Sequence, residues 1–105
     1  MNFRRVVIIG LLLLSGGWST APGGEDTVAR ELILSQGCLG CHAINQPGGT
    51  LGVELKYVGQ RLTADEIRQK LLYPAAKLPR SAMPDSRHLS VAEINALVNY
   101  LTTLK

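Results

Sequence analysis

The stretch SQGCLGCHAINQ, residues 35–46, holds both cysteines of the chain and one of its two histidines. Cys38 and Cys41 stand three positions apart and His42 follows directly. On a helical turn, residues at that spacing share a face, so the pattern presents two thiols side by side with an imidazole next to them.

Several chemistries use such a cluster. A Cys-x-x-Cys dithiol can exchange disulfides, but those sites stand in a strand-and-helix context. No alternating strand pattern is present in this chain. Structural zinc takes four ligands, usually from two separated pairs. His88 is the one histidine left to complete such a set, and adjacent Cys41 and His42 suit one metal poorly. An ordinary disulfide beside a bystander histidine is the plainest alternative in an oxidising compartment. Covalent haem attachment accounts for every position, because Cys-x-x-Cys-His is its specific signature. The thiols of Cys38 and Cys41 add across the two vinyl groups of the porphyrin, and His42 projects its imidazole onto the iron.

The first residues of the chain fit an exported protein. MNFRRVVIIGLLLLSGGWSTA, residues 1–21, has Arg4 and Arg5, an apolar run from Val6 to Leu14, and then small residues. That is the layout of a secretory signal, and the run is shorter than the roughly 20 residues that cross a bilayer. The division expected is a signal at 1–21, with an uncleaved anchor as its alternative, a flexible leader at 22–26, and one domain at 27–105. The expected location is periplasmic or otherwise exported, with membrane attachment only if residues 1–21 are retained. The 11 lysines and arginines against 8 acidic residues give +3, and without Arg4 and Arg5 the balance is +1. A nucleic-acid binder carries a clear basic excess, so that class is excluded. The aromatics after residue 21 are tyrosines alone. A short chain this poor in large side chains needs a staple or a cofactor to complete its core.

The apolar spacing predicts helices. DTVARELILSQG, from Asp26, reads as a capped helix with Val28, Leu32 and Ile33 on one face and Gly37 as its stop. Residues 43–62, rich in glycine, read as a long irregular segment wrapped over a ligand. LTADEIRQKLLYP carries a capping box at Thr63 and Glu66, an apolar stripe of Ile67, Leu71 and Leu72, and Pro74 at its end. Ser90 and Glu93 repeat the box ahead of Ile94, Leu97, Val98, Leu101 and Leu104. The fold class expected is all-α: about three helices and long loops around one haem.

The second face of a haem iron decides what the protein does. Met83 lies in SAMPDS, a polar, proline-flanked loop 41 residues after His42. It has no helical stripe to fill there, which points to ligation, whereas His88 reads as an exposed loop residue.

With these motifs in place, the chain resembles a class I cytochrome c, a small monohaem protein, over nearly all of its length beyond the signal. GCLGCH resembles the attachment motif, AMP the methionine loop and LVNYLTTL the carboxy-terminal helix. The resemblance implies one covalent haem c on Cys38 and Cys41, with His42 and Met83 as axial ligands. It implies that the first and last helices cross tightly, here through Ala29 and Ile33 against Leu97 and Tyr100. Ala29 stands where the family usually has glycine. Val53, in GVEL, stands where the family often has a proline whose carbonyl accepts the histidine's N–H; a valine carbonyl can accept equally. Leu55 would pack on the ring, and Tyr57 and Arg61 are candidates for propionate contacts.

The function expected is one-electron transfer without catalysis, by a carrier docking briefly with redox partners at the haem edge. Lys77, Arg80 and Arg87 around Met83 are candidates for steering an acidic partner. Two alternatives stand: a dedicated electron-transfer subunit of a periplasmic or membrane-bound oxidoreductase, and a haem-based gas or redox sensor. In the sensor, a flexible loop around Gly48 to Gly52 would let Met83 give way.

Overall fold

A computed structural model describes residues 24–105. The signal expected at residues 1–21 and the first leader residues, 22 and 23, lie outside the described residues. The elements run α1 (Gly24–Ser35), a single 3-10 turn (Cys38–Gly40), α2 (Val58–Arg61), α3 (Ala64–Leu72) and α4 (Val91–Thr102). No strand occurs among the described residues, so the fold is all-α as the sequence predicts.

Helix α1 begins earlier than the Asp26 cap expected, taking in residues 24–26 of the leader. Glu25 and Asp26 occupy its first turn, where carboxylates oppose the positive end of the helix dipole. Its buried residues are Ala29, Leu32 and Ile33. Val28, expected on that face, is 41 % exposed, because the stripe centres on 29, 32 and 33 and leaves position 28 at its edge. Gly37, at φ 73°, ends the helix in the left-handed region, which glycine enters without a Cβ penalty.

Both predicted capping boxes are formed. Thr63 Oγ1 accepts the Glu66 N–H at 3.2 Å, and the Thr63 N–H donates to Glu66 Oε1 at 3.0 Å. Ser90 and Glu93 repeat this at 3.1 and 3.0 Å. Helix α3 buries Ile67 and Leu71, while Leu72 is half-buried. Helix α4 buries Ile94, Ala96, Leu97, Val98 and Leu101, and Leu104 packs just beyond its end.

The irregular reading of residues 43–62 is corrected at α2. Val58 is buried there, and the Gly59 N–H donates to the Leu104 carbonyl at 2.7 Å. A Cβ on Gly59 would stand 2.3 Å from the Thr102 carbonyl oxygen. This one-turn helix is therefore fastened to the chain end by close backbone approach, a long-range contact with no local apolar period.

The most extensive helix contact joins α1 to α4, the pair expected to cross. Ala29, Ile33 and Leu97 lie in one buried cluster with half-buried Tyr100 packed against it. The Asn99 amide reaches Glu25 Oε1 at 2.7 Å, and the Arg30 guanidinium lies 5.8 Å from the Tyr100 ring centroid. Helix α3 also rests on α4, where Arg68 donates to Asn95 Oδ1 at 3.2 Å. The helices thus make one small core whose margin is the loop system between them.

Leu97 is only 2 % exposed. Leu97→Ala is expected to lower unfolding free energy by about 2–5 kcal/mol, read from denaturant titration. The capping geometry also predicts a pH dependence. Hydrogen bonds from the backbone of Thr63 and of Ser90, then from their hydroxyls, hold the Glu66 and Glu93 carboxyls below their ordinary values. A depressed folded-state value means stability is present above the ordinary carboxylate range and drains as pH falls through the depressed values. Glu66→Gln with Glu93→Gln removes that titration, so the loss of stability as pH falls below the ordinary carboxylate range becomes shallower, as acid unfolding will measure.

Candidate functional site

The left-handed Gly37 turns the chain out of α1 and straight into the Cys38–Gly40 turn. The Gly40 N–H bonds to Gly37 O at 2.9 Å, and the His42 N–H bonds to Cys38 O at 2.9 Å. Cys38 and Cys41 are therefore one turn apart, as their spacing predicts. Both are free and half-buried, and Cys38 packs against the core cluster.

His42 is oriented by its neighbour across the loop. Its Nδ1 lies 2.7 Å from the Val53 carbonyl oxygen. A carbonyl can only accept, so Nδ1 carries the proton, and in the neutral imidazole Nε2 is then the nitrogen with the lone pair. This is the contact the family resemblance implied at GVEL, made by valine in proline's place. Gly52 makes it sterically possible: a Cβ there would stand 2.4 Å from His42 Cε1 and 2.6 Å from Nδ1.

The Gly48–Gly52 segment, taken as flexible in the sensor alternative, is bonded to the motif through its backbone. The Gly49 N–H bonds to Leu39 O at 2.9 Å, the Gly52 N–H to Cys41 O at 2.7 Å, and the Leu55 N–H to Ala43 O at 2.9 Å. Cβ atoms on Gly48 and Gly49 would stand 2.0 Å from His42 O and 2.1 Å from Gly40 O. The glycines permit close backbone approach, stitching the loop onto the motif turn.

Met83 is half-buried and packs against the same core cluster as Cys38 and Leu55. Its N–H donates to Ser81 Oγ at 3.3 Å. The loop is fastened further on, where the Ser86 N–H bonds to Leu71 O at 2.7 Å. Tyr57 and Arg61, the propionate candidates, are exposed. Arg61 Nη2 donates to Glu54 O at 3.0 Å, and Lys56 Nζ lies 5.3 Å from the Tyr57 ring centroid. Of the three candidate steering charges, Lys77 and Arg80 are exposed loop residues. Arg87 is paired with Asp85 at 3.2 Å and its guanidinium lies 5.8 Å from the Tyr73 ring centroid. Its bonds hold the Asp85 carboxyl below its ordinary value.

The competing chemistries fit this geometry less well. His88 hydrogen-bonds Gln36 Oε1, and among the described residues no group of three or more His, Cys, Asp and Glu side chains is arranged to hold a metal ion by itself. Burial pushes the Cys38 thiol upward, against a smaller lowering by a backbone hydrogen bond. Exchange-active dithiols have lowered values.

Residues 25–101 match the family described as cytochrome c oxidase, cbb3-type, subunit III. A search of curated proteins finds no match. The cofactor that the family implies is haem c, and the donor set fits it. Two free thiols lie one turn apart, one imidazole has Nδ1 engaged and Nε2 available, and a soft thioether sits in a loop packed on the same core. The cradle that a Cβ would fill at Gly52 serves the imidazole alone.

The glycine contacts were invisible to the sequence reading except as glycine content. Gly49→Ala is expected to cost roughly 1–3 kcal/mol, since the clash is with backbone, as denaturant unfolding will measure. Gly52→Ala is expected to swing the His42 ring off Val53. An NMR spectrum will then show loss of the hydrogen-bonded Nδ1 proton signal.

Proposed function

Because this chain belongs to the c-type cytochrome family that residues 25–101 match, we propose that it is a monohaem one-electron carrier. Its general chemistry is haem-based electron transfer. In this reading Cys38 and Cys41 would hold one haem c through thioethers, and His42 and Met83 would be the ligands of its iron. The observation that carries it is the 2.7 Å bond from His42 Nδ1 to Val53 O, which leaves Nε2 as the free ligand atom.

When bound, the haem supplies reversible one-electron chemistry at its iron. The chain's own residues set the terms. The Nδ1–H bond fixes the imidazole's tautomer and ring plane and makes Nε2 a better donor. Met83 brings a thioether sulfur, and His/Met ligation favours a higher potential than nitrogen-only ligation. Leu55, Leu71 and Leu97 contribute apolar surroundings, which disfavour the more highly charged oxidised site. With His42 and Met83 as its two protein ligands, the iron would have no position open for a substrate, and catalysis would not be part of this role.

The chain works outside the cytoplasm in this reading, and residues 1–21 direct it there. Its partners are redox proteins, with Lys77 and Arg80 offering exposed positive charge to an acidic surface. A second reading, a dedicated subunit held in an oxidoreductase complex, is favoured by two observations. The matching family is described as an oxidase subunit. Leu51, Val53 and Leu78, in the loops on the His42 and Met83 sides, are 90 %, 59 % and 58 % exposed.

Potentiometric titration of the haem-loaded protein tests the carrier reading. A single one-electron wave is expected. Met83→His is expected to lower the midpoint by on the order of 100 mV, a fraction of the roughly 0.8 V that axial ligands command. An unmoved midpoint would remove Met83 from the iron.

A further inference from the structure

His88 is an exposed loop residue, as the sequence predicts, and its position ties together two parts of the site that are far apart in the chain. His88 Nε2 and Gln36 Oε1 are hydrogen-bonded across 52 positions of sequence. The amide oxygen accepts, so Nε2–H donates. Gln36 continues the last turn of α1, its N–H bonded to Leu32 O at 2.8 Å, and stands immediately before the Gly37 hinge that opens the attachment motif. His88 lies five residues beyond Met83 and two before the Ser90 cap of α4.

We infer that His88 is a positioning residue: through Gln36 it fastens the loop carrying Met83 to the helix end that presents Cys38, Cys41 and His42. The inference rests on the reading of Met83 as an axial ligand. Ser86 already anchors the loop to α3 through its N–H on Leu71 O at 2.7 Å. That bond holds the loop to a helix which carries no motif residue. The His88–Gln36 pair adds a direct link from the loop to the motif's own element. A ligand loop tied at both places resists displacement of its sulfur; one tied only to α3 can swing away from the motif while the helices stay folded.

The test is displacement of Met83 by imidazole in the oxidised, haem-loaded full chain, followed by absorbance, with thermal unfolding recorded alongside. Met83→Ala sets the upper limit for a site with no sulfur to displace. His88→Ala and Gln36→Ala are each expected to raise imidazole affinity by about threefold to fivefold, the equivalent of one net hydrogen bond. The double variant is expected to show no more than either single one, because the two share one interaction. His88→Gln, which keeps a donor, is expected to recover part of the difference. Asn99→Ala breaks the Glu25 contact at the other end of α1. It is expected to lower the unfolding temperature without changing imidazole affinity, separating positioning from general destabilisation. Affinities in His88→Ala and Gln36→Ala that stay at the wild-type value, while Met83→Ala rises, would overturn the positioning role alone. So would additive effects in the double variant. An unmoved Met83→Ala would overturn the ligand reading and this inference together.

Discussion

The site depends on one hydrogen bond, from His42 Nδ1 to the carbonyl of Val53. A histidine that binds iron must present one nitrogen with a lone pair and hold its ring in one plane. The other nitrogen's proton settles both. That requires a carbonyl at the right height beside the ring, and hence a loop that returns to within van der Waals reach of the motif. Gly52 allows the approach, and the bond from the Gly52 N–H to Cys41 O fixes its height. Gly48 and Gly49 do the same for the backbone of residues 40–43. The glycine-rich stretch is thus a second wall of the site, held by backbone contacts where the chain has few large side chains to use.

The helices supply the frame for that wall. α1 and α4 pack through small and branched residues, with Ala29 fully buried at the seam. α1 then hands the chain to the motif through a single left-handed glycine. α4 in turn receives α2 at its far end, where Gly59 approaches the backbone of Thr102 and Leu104. The core is thin for a chain of this size, and small domains rarely gain more than a few kcal/mol from such cores. Covalent retention of a large apolar cofactor would suit such a chain, because thioethers from Cys38 and Cys41 would hold it where burial alone holds it weakly.

Much of this was legible in sequence because it is local. Each capping box is a pair of side chains three residues apart, the Gly37 stop is a single residue, and the motif is five residues long. The α4 stripe follows one period. What escaped was the long-range placement of backbone. Gly59 gave no hint that α2 would form against the chain end. The glycines at 48, 49 and 52 suggested looseness because sequence shows the missing side chain but not the carbonyl that fills its place. Val28 was assigned to the buried face because a stripe's edge cannot be told from its centre without the partner helix. Val53, a departure from the family's proline, keeps the contact because the acceptor is a carbonyl, which every residue has.

The most direct test of the account is the visible spectrum of the reduced, haem-loaded protein before and after carbon monoxide is added. Sharp low-spin c-type bands that the gas leaves unmoved are expected, with His42 and Met83 holding both faces of the iron. Bands that shift on adding the gas would show that the methionine side opens, contradicting a closed electron carrier. A preparation from which the haem washes out under denaturing conditions would contradict attachment through Cys38 and Cys41.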